Sequence, residues 1–212
     1  MTTEKRPKCA VLGYGSWATA IVKTLTTNRH HVEWLVLNEE IRSSLECRGR
    51  NSKYLPWCDI ERDLITPSDD INAVVRDADV VFLAMPSAFF KKFMEPLTVS
   101  LADKIVVSAV KGIIPGDYLT IVEHVNRYYD VPMKNMCVVT GPSHAEEVGQ
   151  CRLSYLTVAS EDAATAEAVE ALLANDYFRC SISHDVLGVE GAAIMKNVYA
   201  LAVGIAVGLR YG

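Results

Sequence analysis

Residues 8–25 read KCAVLGYGSWATAIVKTL, and this stretch decides the fold. A short apolar run, Cys9 to Leu12, reaches Gly13. Gly15 and Ala18 then complete the pattern G-x-G-x-x-[G/A], and an apolar helical stretch follows at once. Strand, tight glycine turn and helix N-terminus, in that order, make a cradle for the pyrophosphate of a dinucleotide. Gly13 permits the turn, and Gly15 lets phosphates approach the backbone. Ala18 is small enough for the helix to pack on the strand, and the helix dipole favours the anion. Ser16 and Trp17 open the helix and are expected to face the cofactor; for Trp17 the alternative is plain core packing.

The same alternation continues outward from this turn. Strands are expected at about 8–13, 31–37, 79–85, 104–109, 136–140, 153–159 and 178–183. Helices are expected at about 16–28, 38–48, 69–77, 87–100, 117–129, 143–150 and 162–175. Segments such as ADVVFLA and DKIVVSAV are apolar throughout, as in a parallel sheet covered on both faces. The pattern predicts an α/β fold with a doubly wound, Rossmann-type sheet. Arg48 to Pro67 lacks a clean period and reads as a loop excursion.

Composition excludes several classes. Half of the 212 residues are apolar and 22% are charged, as in a globular chain. The net charge of −5, with no basic block, argues against nucleic acid as a partner. The six cysteines form no C-x-x-C pair, and the start, MTTEKRPK, is charged and does not read as a signal peptide. Reduced thiols in the cytoplasm follow, with Cys9 and Cys137 in the core. His30, His31, His124 and His184 form no ligand-spaced cluster with cysteines or carboxylates, so no metal is expected.

The texture changes after residue 184. From Ala192 to Leu209 the polar side chains are Lys196, Asn197 and Tyr199. A transmembrane helix is one reading of such a run. Lys196 and Asn197 interrupt it, however, and a helix apolar all round is better read as the axis of a helical domain. Residues 1–185 are therefore expected to form a dinucleotide-binding domain, and 186–212 the start of an all-α substrate domain, truncated at Gly212. Residues 1–185 cannot cover every face of that helix, so the chain alone is expected to self-associate through it or leave it disordered.

Several motifs now agree: GYGSWATA at 13–20, NSKYLP at 51–56, MPS at 85–87, VKGI at 110–113, GPSHAEEV at 141–148 and MKNVYALAVGIAVGLRYG at 195–212. By these the chain resembles the NAD(P)-dependent glycerol-3-phosphate dehydrogenases. The resemblance implies a Rossmann domain followed by a helical substrate domain. It implies hydride transfer between a nicotinamide cofactor and dihydroxyacetone phosphate or sn-glycerol 3-phosphate, which supplies phospholipid synthesis. It carries cofactor contacts onto Gly13, Gly15, Ser16, Trp17, Ala18, Tyr54 and Ala145. It makes Lys111 a contact to both nicotinamide and substrate, and Gly141 and Ser143 substrate contacts at a helix N-terminus. Lys196 becomes the general acid/base, a role that burial would assist by lowering its pKa, with Asn197 beside it at the substrate. The partners implied are a small phosphorylated substrate and, in a homodimer, a second copy; no integral membrane span is expected.

The chain departs from the family in places. In WLVLNEE, residues 34–40, no arginine stands ready for a 2′-phosphate, and Glu39 and Glu40 would repel one. This favours NAD over NADP, with Asn38 available to a ribose hydroxyl in either. His144 stands where relatives often carry an aromatic and is expected at a cap or the surface; Val207 stands where relatives carry Asp. The arginine that holds the substrate phosphate in the family lies beyond Gly212, so the 212 residues alone are expected to be inactive.

Overall fold

The computed structural model describes residues 6–211. The first five residues, part of the charged start, and Gly212, the end of the last motif, lie outside the described residues. Eight strands form one sheet in the order β3-β2-β1-β4-β5-β6-β7-β8. They are β1 Cys9–Leu12, β2 Val32–Leu35, β3 Ile65–Ser68, β4 Val80–Leu83, β5 Ile105–Ser108, β6 Met136–Thr140, β7 Ser154–Ala159 and β8 Phe178–Ser183. The helices are α1 Ser16–Thr27, α2 Glu39–Arg48, α3 Ile71–Arg76, α4 Phe90–Met94, α5 Ile121–Tyr128, α6 Ala145–Gly149, α7 Ala163–Leu173 and α8 Val186–Gly208.

The Rossmann-type α/β architecture is as the glycine turn and the apolar strands predict. β1 and β4 are buried along their whole length because helices cover both faces. One apolar cluster packs α1 and α7 on one face; the other packs α3, α4 and α5 on the opposite face. Strand order reverses between β1 and β4. There the connections leave in opposite directions and open a crevice at the carboxyl ends of the strands.

The structure corrects four expectations. First, the stretch read as a loop holds β3, which pairs Pro67 with Trp34 of β2. It is an edge strand, so Pro67 leaves no ladder bond missing, and the half-exposed edge removes the apolar run that marks an inner strand. Second, the sheet is not parallel throughout: β6 and β7 run antiparallel, with Val139 opposite Val158, and β8 is parallel to β7. The connection from β6 carries only the five residues of α6, too short a crossover to return the chain parallel. Third, the helix expected over 87–100 is a 3₁₀ turn at Ser87–Phe89 and the short α4, which ends just before Pro96. Fourth, the helix expected from 117 starts at Ile121, where Thr120 accepts from the Glu123 N–H and Glu123 accepts from the Thr120 N–H.

α8 begins at Val186, with Asp185 capping the Gly188 N–H at 2.8 Å. Its buried residues are Val186, Glu190 and Ala193, one stripe over its first two turns. Beyond Ala193 it stands clear: Leu201 is 66% exposed and Val203 62%. By length and composition α8 could cross a membrane, the one such helix among the described residues.

Candidate functional site

The crevice is built from three strand ends. After β1, Gly13 takes φ +121°, and a Cβ there would sit 2.6 Å from the Ala84 carbonyl oxygen. Only glycine fits, because the end of β4 passes so close. The Trp34 indole N–H donates to the Gly13 carbonyl at 2.7 Å and holds the turn from the β2 side. Gly15 caps α1 in an extended conformation, and a Cβ there would meet nothing within 4 Å. The space over Gly15 is therefore open and faces the first-turn N–H groups of α1, which suits a pyrophosphate. Ala18 is fully buried against the sheet, as its size requires.

Two loops wall the crevice. Asn51, fully buried, donates to the Tyr14 carbonyl and the Thr19 hydroxyl, both at 2.9 Å. Its own carbonyl accepts from the Lys53 and Tyr54 N–H groups. This ties the 51–56 loop to the glycine turn and brings Tyr54 over a hollow shared with Gly13, Tyr14, Gly15 and Phe89. The loop after β5 carries Lys111, which lines the adjoining hollow with Ser16, Trp17 and Pro86. Gly112 follows at φ +123°, with space for a Cβ taken by the Ser87 hydroxyl 2.6 Å away. The Lys111 ammonium lies 5.4 Å from the Trp17 ring centroid. Partial burial, and then the Lys196 charge, push the Lys111 pKa below the ordinary lysine value. The Trp17 indole N–H is buried with no partner among the described residues, and the ring packs against the core.

The second cluster sits past β6. Gly141 packs so close to β7 that a Cβ would lie 2.5 Å from the Tyr155 carbonyl oxygen. Ser143 is buried; its hydroxyl donates to the Tyr155 carbonyl at 2.8 Å and accepts from the Tyr155 N–H at 3.1 Å. That hydroxyl is engaged with backbone, and the segment offers Gly141 and Pro142 to a hollow that Ala193 and Lys196 also line. His144 stands at the N-cap of α6, exposed, as expected. Ala145 is packed in the core beneath it. α6 has five residues, so it aligns few peptide dipoles and is a weaker anion site than the motif suggests.

Lys196 is only half-buried and Asn197 is exposed. The expectation of a buried lysine fails for the described chain because α8 is uncovered where Lys196 leaves it. Asn38 caps α2, its carbonyl accepting from Ile41 at 3.0 Å, which leaves its amide N–H groups for a ribose. A cation does stand near the end of β2. Arg42 reaches back from α2 to donate to the Val36 carbonyl at 3.1 Å, and Asp69 neutralises it at 3.0 Å. Glu40 is likewise paired with Lys53 at 2.8 Å. Sequence spacing could not show Arg42 returning to the strand end, nor Asn51 reaching across to the turn; NSKYLP was the one available signal for Asn51.

Residues 8–166 match the family profile of the NAD-dependent glycerol-3-phosphate dehydrogenase N-terminus. A glycerol-3-phosphate dehydrogenase [NAD(P)+] of Agathobacter rectalis is 36% identical over 207 residues, 97% of this chain and 60% of that protein. One of Halalkalibacterium halodurans is 34% identical over 205 residues, 96% of this chain and 59% of that protein. The crystal structure of the Coxiella burnetii glycerol-3-phosphate dehydrogenase superposes with a TM-score of 0.86 at 27% identity, covering 98% of this chain and 63% of that one. The chain thus spans about 60% of the length of these relatives.

Proposed function

The chain belongs to the NAD-dependent glycerol-3-phosphate dehydrogenase N-terminal family. From that premise we propose that it is the cofactor-holding part of an oxidoreductase interconverting dihydroxyacetone phosphate and sn-glycerol 3-phosphate, on a route to phospholipid. The observation that carries this reading is the geometry of the crevice: the open glycine turn lies where strand order reverses, Lys111 stands 5.4 Å from the Trp17 ring beside it, and Lys196 lines the hollow at Gly141. The residues fit a nicotinamide dinucleotide, since Gly15 leaves open the space a Cβ would fill and Gly13 shapes the turn. Gly13, Gly15, Ser16, Trp17 and Ala18 would hold the pyrophosphate side, Asn38 the ribose, and Tyr54, Lys111 and Ala145 the remainder. The bound nicotinamide supplies the hydride chemistry.

This chain's own residues do the rest. Lys111 attracts the anionic substrate by a charge-assisted contact. The Lys196 ammonium donates a proton to the carbonyl oxygen during reduction, and its amine takes one from the hydroxyl during oxidation. Gly141 lines the substrate side; Ser143 holds that segment to Tyr155, and Asn197 stands beside Lys196. Residues 1–185 form the cofactor domain in this reading, and 186–212 belong to a helical substrate domain. The six free cysteines suit a cytoplasmic protein. The exposed length of α8 suits burial by further protein, either in the same chain or across a homodimer. NADH should bind more tightly than NADPH, because Arg42 is already neutralised by Asp69 and Glu39 and Glu40 flank the strand end.

The test is direct. The 212 residues are titrated with NADH and NADPH by fluorescence, and an enzyme of the relatives' length is assayed with dihydroxyacetone phosphate. NADH binding with turnover in the longer protein is expected. Equal affinities would overturn the cofactor preference, and absence of turnover would overturn the activity.

A further inference from the structure

Glu190 is the one acidic residue of α8, and it is 1% exposed. One carboxylate oxygen accepts from the Ile121 N–H at 3.1 Å and the Val122 N–H at 3.3 Å. These are the first two residues of α5, whose leading N–H groups have no acceptor within their own helix. The other carboxylate oxygen is buried with no partner among the described residues. Burying a carboxylate is unfavourable unless donors hold it, and a leucine would fill the same space without that penalty.

The position of this contact is what distinguishes it. The loop from Ala109 to Thr120 carries Lys111 and ends at the α5 N-terminus, where Glu190 binds. Lys196 follows Glu190 by six residues, about 9 Å along the helix axis. The other buried residues of α8, Val186 and Ala193, make apolar contacts, which do not set direction. Among the described residues, Glu190 makes the only side-chain hydrogen bonds from α8 to the rest of the fold. We propose that Glu190 is a positioning residue: it pins α8 to the start of α5, so that Lys196 keeps a set distance from Lys111.

The inference rests on the assignment of both lysines to the reaction. It is tested in an enzyme of the relatives' length with Glu190→Leu, Glu190→Gln and Glu190→Asp. Leucine keeps the volume and removes the acceptor; glutamine keeps both. Glu190→Leu should lower kcat by at least about 10-fold, since misplacement by about 1 Å can cost about 100-fold. The NADH dissociation constant should stay within about two-fold, because the glycine turn is untouched. Amide hydrogen exchange at Ile121 and Val122 should accelerate, and the alkaline limb of kcat/KM should move to higher pH as the Lys196 charge withdraws from Lys111. Glu190→Gln should restore most of the lost turnover and the slow exchange. Wild-type kcat and pH profile in Glu190→Leu would overturn the proposal. If Glu190→Leu fails to fold, Glu190→Asp, shorter by one methylene, decides: turnover equal to that of Glu190→Gln would overturn it. Loss of turnover in the wild type would strike the proposed activity instead, while exchange at Ile121 and Val122 would still report on the pin.

Discussion

The glycine turn and α8 are both written in small and apolar residues, yet the fold treats them oppositely. At the turn every contact is fixed by a neighbour: Ala84 lies against Gly13, Trp34 donates to its carbonyl, and Asn51 reaches Tyr14 and Thr19. Along α8 only Val186, Glu190 and Ala193 are buried, and Leu201, Val203 and Ile205 face outward. The contrast shows that apolar composition states a need for burial, while sheet topology decides which segments have it met. The turn lies where strand order reverses and helices cover both faces. α8 follows the last strand, where the sheet ends at β8 and nothing further packs over its second half among the described residues.

The largest expected effect lies on α8. In an enzyme of the relatives' length, Lys196→Ala should lower kcat by about 10²–10⁴-fold, the usual contribution of general acid/base catalysis. NADH affinity should hardly change. Steady-state kinetics beside a binding titration check this, and near-normal turnover would remove Lys196 from the reaction. Next, Gly15→Val should abolish NADH binding while leaving the thermal midpoint close to wild type. The side chain enters open space and an extended backbone, so folding tolerates it and a ligand does not. Retained affinity would mean the pyrophosphate lies elsewhere. Gly13→Ala should do the reverse damage and lower stability by about 2–4 kcal/mol, from overpacking against Ala84 together with a positive φ. Denaturant unfolding measures it, and a loss under about 1 kcal/mol would show that the turn is less constrained than its contacts imply. The smallest effect sharpens the contrast: in the 212-residue chain Leu201→Ser should change stability by less than about 0.5 kcal/mol, since the side chain packs on nothing. A larger loss would reveal a covered α8.

Much of the site was legible because it lies in consecutive residues. The glycine spacing, the lysine after β5 and the lysine within an apolar run are local patterns, and the fold puts them at strand ends and on a helix as expected. Partners that act across the fold were not legible. Asn51, Arg42 and Ser87 meet partners about 25–37 residues away in the chain, and no periodicity records that. β3 was hidden for a related reason: an edge strand needs burial on less of its surface and tolerates Pro67, so it carries no apolar run.

By itself, then, the order of residues determined the α/β class, the glycine turn and the placing of Lys111 after a strand and of Lys196 within an apolar helix. These depend on backbone preference and on side-chain type over a few turns or strands. Only the tertiary structure decided the antiparallel step at β6–β7, the engagement of the Ser143 hydroxyl with Tyr155, and the half-exposed state of Lys196. Each of these is set by what packs alongside: a connection too short to cross the sheet, a backbone edge in need of a partner, and a helix longer than the surface it lies on.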